Sequence, residues 1–260
     1  MSSPSAPVDF RTSVRELRSA QKSRKGAPLY SLVVNRPLGR LFAAAAHQLG
    51  LTPNQVTAIS AVCTFAGIIT IAVAPPSWLT GVAVALLLMI GYALDAADGQ
   101  LARLRGGGSL LGEWLDHVVD SVKIATLHLA VLIMAYRFFP GSHGWLLVPL
   151  VFGATYVVHF FGMLLTELLQ RVHAAKIGGS QPAGQASWFM SVMKLPTDYG
   201  VLCAVFVLVG LPVVFMIVYS VMAVSNLGYT LLVLRRWAGQ IKRLDATPVS
   251  SAPPKEAVHV

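Results

Sequence analysis

Asp95-Ala96-Ala97-Asp98-Gly99-Gln100-Leu101-Ala102-Arg103 and, after a short Gly-rich turn, Gly112-Glu113-Trp114-Leu115-Asp116-His117-Val118-Val119-Asp120 are the stretches that decide the fold of this chain. They join two long apolar runs: residues 79–94 carry no charged side chain, and 124–136 are almost wholly apolar. Ionisable residues inside membrane-spanning helices are costly and usually functional. Asp95 and Asp98 are three residues apart and Asp116 and Asp120 four, so on helices each pair shares a face. The short connection Leu104-Arg105-Gly106-Gly107-Gly108-Ser109-Leu110-Leu111 predicts adjacent antiparallel helices with the acidic faces opposed. Carboxylates that close repel unless they are protonated or neutralised, and two divalent cations, Mg²⁺ or Mn²⁺, shared among them meet that need. Ions so held can clamp a diphosphate and stabilise attacking and leaving oxygens, which suits phosphoryl transfer.

The rest of the chain supplies the setting. Of its 260 residues 55% are hydrophobic and 12% charged, with a mean hydropathy of +0.65, which predicts an integral membrane protein. Six apolar stretches approach the roughly 20 residues that a spanning helix needs: 53–74, 79–103, 113–138, 145–169, 197–211 and 213–236. Gly210-Leu211-Pro212 divides the last two, a single tilted span being the alternative. With both termini in the cytoplasm, every Lys and Arg except Arg137 and Lys123 falls on that side, as the charge bias of membrane proteins requires. The net charge of +9 is therefore assigned to anionic lipid surfaces, and nucleic acid is not expected as a partner. Cys63 and Cys203 lie singly in apolar runs and have no metal-ligand spacing.

Residues 1–28 show no hydrophobic periodicity and read as a disordered basic arm, without an apolar run of the secretory-signal kind, so the mature chain is expected to begin near Met1. Across 29–50, Leu29, Leu32, Val33, Leu38, Leu41, Phe42 and Ala45 alternate with Arg36 and Arg40, predicting an amphipathic interfacial helix whose second part starts at Pro37. A six-helix catalytic domain would occupy 51–238, and the Ala-, Pro- and Ser-rich tail 239–260 reads as disordered and cytoplasmic.

The spacing of Asp95, Asp98, Gly99, Ala102, Arg103, Gly112, Asp116 and Asp120 resembles the signature of the CDP-alcohol phosphotransferase family, with every fixed position filled. Thr52-Pro53-Asn54-Gln55-Val56-Thr57 is similar to the family's motif at the start of the first span. The resemblance implies an all-α integral membrane fold of six transmembrane helices preceded by a juxtamembrane amphipathic helix, with an active site facing the cytoplasm that transfers a substituted phosphate from a CDP-alcohol and releases CMP. It also implies that Asp95, Asp98 and Asp116 hold the metals, and that Asp120 contacts a metal and takes the acceptor's proton. Asn54, Thr57, Asp95, Gly99, Ala102, Arg103, Ser109 and Gly112 correspond to nucleotide and diphosphate contacts. Arg103 can offer a bidentate fork to phosphate, while Ser109 fits a plain loop serine equally well. Against this stands a carboxylate cluster paired with Arg103, Arg105 and Lys123 for packing alone, a poor source of stability.

The segment around His117 resembles the choline and ethanolamine branch, so His117 either orients a carboxylate or the acceptor, or is a polar helix residue with a local partner. His159 and Glu167 are candidates to line an acceptor cavity. Two donor modes remain: CDP-diacylglycerol giving its phosphatidyl group to a polar alcohol, which is favoured, or a CDP-choline-like donor serving a lipid alcohol. Arg171 is the first cation of the fourth span, and Lys194, Arg235 and Arg236 are further ones available to a phosphorylated acceptor. Membrane lipids and a second copy of the chain are the other expected partners, the homodimer by resemblance. A transporter or a noncatalytic scaffold is disfavoured because the acids lie near helix ends, no repeat is visible and no motif residue is lost.

Overall fold

The computed structural model describes residues 10–19, 28–141, 143–177 and 197–246, and among these it is all helical. The helices are α1 (Phe10–Ser19), α2 (Arg36–Gln48, entered through a wide turn Ser31–Asn35), α3 (Pro53–Val73), α4 (Trp78–Leu104), α5 (Leu110–Phe138), α6 (Leu147–Ile177), α7 (Tyr199–Val205, continued as a tight turn Phe206–Gly210) and α8 (Pro212–Asp245). Five are long and apolar enough to cross a membrane: α3, α4, α5, α6 with the turn before it, and α8. The fifth expected span is shorter than predicted. Tyr199–Gly210 has 12 residues, which at 1.5–2.0 Å per residue reach about 20 Å against about 30 Å of hydrocarbon. The break at Gly210-Leu211-Pro212 falls where the sequence places it, Pro212 opening α8. Ile59, Val62, Ile69, Leu86, Leu129, Ile133, Val157, Phe161, Leu231 and Leu232 are exposed along these helices, as lipid-facing side chains are.

Local signals set the helix ends. Thr52 and Gln55 form a reciprocal capping box, Gln55 N donating to Thr52 Oγ1 (3.2 Å) and Thr52 N to Gln55 Oε1 (2.8 Å), with Pro53 at the first helical position. Ser77 and Ser109 cap α4 and α5. Gly106 and Gly107 end α4 at φ +93° and +134°, Gly107 N donating to the Ala102 carbonyl (3.0 Å).

Helix α4 packs against α2, α3 and the α7 turn; α5 packs against α3 and α6, and α6 against α8. Small residues allow the close approaches. A Cβ on Gly39 would meet Gln100 Nε2 at 2.9 Å and Ala96 Cβ at 3.0 Å, and one on Gly91 would run into Thr64, while Ser60 Oγ donates to the Gly91 carbonyl at 2.8 Å. The main core joins Leu88, Leu127, Val131, Phe152, Phe206, Phe215 and Tyr219. Cys63 and Cys203 are free thiols.

Two expectations about the chain ends change. Residues 10–19, read as part of a disordered arm, form a helix because Phe10, Val14 and Leu17 recur at helical spacing. Leu17 is fully buried against a cluster containing Ala43, Ala44, Val56, Ala97 and Leu101. The helix predicted to stop near 236 continues to Asp245, so 239–245 are helical rather than tail. Residues 1–9, 20–27 and 247–260 lie outside the described residues.

Replacing Gly91 by Val should force α3 from α4 and cost about 3 kcal/mol of stability. Unfolding of the purified variant in lipid-containing micelles checks this; an unchanged midpoint would show that the interface has room.

Candidate functional site

Three helix ends meet at the end of the bundle that also carries α1 and α2: the start of α3, the close of α4 and the start of α5. Here Asp95 of α4 comes together with Asp116 and Asp120 of α5. Each offers a carboxylate oxygen, and these lie within 4.8 Å of one another. All three residues are half-buried. Oxygens sharing one Mg²⁺ or Mn²⁺ stand about 3 to 4 Å apart, cis or trans at metal–oxygen distances of about 2.1 Å, so the trio can close on an ion by small side-chain movements. Three hard anionic donors on two helices therefore fit a divalent cation.

Asp98 stands outside this trio. It is buried, and Thr57 Oγ1 donates to its Oδ2 at 2.5 Å, so α3 holds the fourth carboxylate through a hydroxyl. Asp95 and Asp116 remain its charged neighbours. Helix geometry explains the division: Asp98 is almost one turn from Asp95 and rotated toward α3.

Unexpectedly, α4 and α5 do not pack backbone on backbone. Both lean on α3, and their acidic side chains meet across the gap. The signature glycines accordingly do not mediate a helix contact between them. At Gly112 a Cβ would meet Asn54 Oδ1 at 3.1 Å and Ser109 Oγ at 3.2 Å; at Gly99 the nearest group is Arg103 Nη1, 3.5 Å away. Asn54, Ser109 and Gly112 thus gather at the mouth of the gap, and the Arg103 guanidinium lies beside Gly99 with Asp98 and Arg36 as charged neighbours. Ser109 Oγ accepts from Gly112 N (3.0 Å), which makes it the cap of α5. Ala102 is half-buried, its carbonyl engaged by the turn that ends α4.

In the sequence Lys123 reads only as a packing partner of the acids. One turn beyond Asp120 on the same face of α5, it is buried, forms an ion pair with Asp120, and places Nζ 4.0 Å from Asp95 Oδ1. The same Nζ lies 5.3 Å from the centre of the Tyr199 ring. Tyr199 meets Tyr92 edge-on (5.0 Å), and Tyr92 stacks with Tyr30 (6.3 Å), whose phenol burial pushes above its ordinary range. Asp198 fastens this wall: its fully buried carboxylate accepts from Tyr30 N (2.9 Å) and Gly200 N (3.0 Å). A side chain on Gly200 would overlap the Tyr30 ring. Lys123 was legible as a lone cation in an apolar helix; the tyrosines and Asp198 left no signal, being far apart in sequence.

His117 Nε2 stands 4.0 Å from Glu113 Oε1, and its ring meets Phe160 edge-on at 6.4 Å. Arg171 Nη1 donates to Glu113 Oε1 (2.5 Å) and its other terminal nitrogen lies 3.9 Å from Glu167, so the candidate acceptor cation is held by two carboxylates. His159 bonds to Thr230 (3.2 Å) and packs on Tyr229 and Trp237, a setting in the α6–α8 interface. Arg235 and Arg236 lie along α8, and Lys194 falls outside the described residues.

Comparison with known proteins bears on this geometry. The family model described as CDP-alcohol phosphatidyltransferase matches residues 50–231. The archaetidylinositol phosphate synthase of Pyrococcus horikoshii is 36% identical over 95 residues, 36% of this chain and 47% of that protein, so the match spans about half of the relative's length. The structure of Mycobacterium tuberculosis phosphatidylinositol phosphate synthase (PgsA1) with CDP-DAG bound aligns with a TM-score of 0.50 at 20% identity, covering 83% of this chain and 95% of that one. The same enzyme in complex with manganese and citrate aligns at 0.46 and 19%, covering 80% and 88%.

Replacing Thr57 by Val would leave the buried Asp98 carboxylate without its hydroxyl donor, costing about 2 kcal/mol. A reduced unfolding midpoint in micelles is the expected result; no change would mean that the hydroxyl does not hold Asp98.

Proposed function

This chain belongs to the CDP-alcohol phosphatidyltransferase family, and on that premise we propose that it transfers the phosphatidyl group of CDP-diacylglycerol to an alcohol and releases CMP. The observation that carries the reading is the convergence of Asp95, Asp116 and Asp120 within 4.8 Å at one end of an apolar bundle. Two divalent cations, Mg²⁺ or Mn²⁺, bound there would neutralise the diphosphate and act as Lewis acids on its oxygens. Asp95, Asp116 and Asp120 would hold them, joined by Asp98 on the α3 side of the gap.

In the reaction the acceptor hydroxyl oxygen forms a bond to the phosphorus that bears diacylglycerol. The bond from that phosphorus to the oxygen bridging it to CMP breaks, and CMP departs with the electron pair. Asp120, at the acceptor side, takes the hydroxyl proton. Asn54, Gly99, Ala102, Arg103 and Gly112 line the approach of the CDP group, with Thr57 acting through Asp98 and Ser109 acting as the cap that shapes the mouth. Arg103, half-buried beside Gly99, is placed to offer its guanidinium to a phosphate. His117, next to Asp116 in the chain and near Glu113, is assigned to orienting the acceptor.

A lipid donor is supported by the similar fold of an enzyme that has been seen with CDP-DAG. The acceptor is a small polar alcohol. Arg171, the first cation of the fourth span, is engaged by Glu113 and Glu167 rather than offered to an acceptor. In the membrane we place six spans, counting Tyr199–Gly210 as a short one, with both termini and the site on the cytoplasmic side, and a homodimer as the assembly.

CMP release by the purified protein with Mg²⁺ or Mn²⁺ is expected from CDP-diacylglycerol and a polar alcohol. Release from CDP-choline or CDP-ethanolamine alone would reverse the donor. Asp116→Asn should keep the fold and lower turnover on the order of a hundredfold or more; normal turnover in that variant would sink the metal-based account.

A further inference from the structure

Lys123 has a place in the site that neither the acid signature nor the proposed transfer requires. Its side chain comes from α5, one turn beyond Asp120, and ends between Asp120 and Asp95, on opposite sides of the gap between α4 and α5. It is buried, and the Tyr199 ring lies against its ammonium. Tyr199 is held in turn by Tyr92 and by the helix start that Asp198 caps. A long flexible lysine has considerable freedom to turn away from a site. Here one wall of aromatic rings and two carboxylates confine it.

The charges nearest the gap can be counted. Asp95, Asp116, Asp120 and, on the α3 side, Asp98 contribute four negative charges and Lys123 one positive charge, a balance of minus three that one divalent cation lowers to minus one and a second would carry to plus one. With the ammonium in place a second divalent cation would leave an excess of positive charge in the gap, at an electrostatic cost that is larger where water is partly excluded. The diphosphate of a CDP-linked substrate brings the missing negative charge.

We propose that Lys123 is a positioning residue serving as a built-in counter-cation, which holds the acidic trio to one divalent ion until a nucleoside diphosphate brings in the second. The inference rests on the reading that the trio binds divalent cations, and it assigns the order of loading to one side chain. The ammonium also keeps Asp95 and Asp120 together across the gap before any ion binds, so the carboxylates do not spread under mutual repulsion.

The test is Mn²⁺ binding, followed by electron paramagnetic resonance, to full-length wild-type protein and Lys123→Met in lipid-containing micelles, with and without CDP. Wild type should bind one Mn²⁺ per chain alone and two with CDP. Lys123→Met should bind two without CDP, its first ion at least about tenfold tighter than in wild type, since a positive charge has left the cluster. Lys123→Arg, which keeps the charge, should restore the wild-type stoichiometry. Thermal unfolding gives a second readout: Mn²⁺ should raise the midpoint of Lys123→Met more than that of wild type, because ion binding replaces the lost counter-charge.

Two Mn²⁺ ions bound by wild type without CDP, or equal affinity and number in wild type and Lys123→Met, would overturn the role of Lys123 while leaving the metal site intact. No binding to any of the proteins would overturn both this inference and the metal-based reading beneath it. Should Lys123→Met fail to fold, Lys123→Gln, which also removes the charge but keeps a polar end, takes its place with the same expected count and the same overturning result.

Discussion

The ion pair between Lys123 and Asp120, with Asp95 facing it from α4, is the contact around which this bundle is organised. Charged groups among apolar helices are tolerated only where partners offset the loss of water, and the half-buried trio of Asp95, Asp116 and Asp120 has that requirement built into it. Lys123 meets part of it from within the chain. Asp98 meets it differently, by accepting a hydroxyl from Thr57 at the start of α3. The four signature carboxylates therefore occupy two environments, and the same spacing that makes them look equivalent in sequence turns one of them toward a different helix.

Keeping the acids together while leaving space between their helices requires a third helix as support. Both α4 and α5 pack on α3, and small residues make this close: Gly91 lies against Thr64, and Gly112 against Asn54. Opposite the acids, α4 buries Ala97 and Leu101 in the cluster that includes α2, and Gly39 of α2 admits Gln100, whose Nε2 donates to the Arg36 carbonyl at 3.3 Å. The acidic face of α4 thus turns toward α5 because its other faces are occupied.

The segment before α3 is part of this arrangement. Asp198 joins Tyr30 to the start of α7, and Tyr30, Tyr92 and Tyr199 form a line of rings from the juxtamembrane segment to the Lys123 ammonium. At the same end α1 inserts Leu17 into the α2–α4 cluster. Elements distant in the chain therefore share one wall of the site, and displacement of Tyr30 would be felt at Lys123 through packed rings rather than through the acids themselves.

Much of this was legible without coordinates. Hydropathy marks the five long helices because a lipid-facing helix is apolar over its whole length, and Gly210-Leu211-Pro212 marks a break because breakers act within one turn, whereas the capping role of Ser109 shows only in the structure. The pairs Asp95/Asp98 and Asp116/Asp120 identify the site because helical periodicity is a local property. The amphipathic face of Phe10, Val14 and Leu17 was local too, but three apolar residues among charged ones are a weak signal until α2 and α4 supply the surface that buries Leu17. Tertiary structure alone decided the rest: that Asp98 turns to Thr57, that α4 and α5 lean on α3 rather than on each other, and that Tyr199, backed by Tyr92 and Tyr30, lies against Lys123. These depend on how helix faces rotate and stack over separations of up to 168 residues, as between Tyr30 and Asp198, and no local periodicity encodes which distant face will be met.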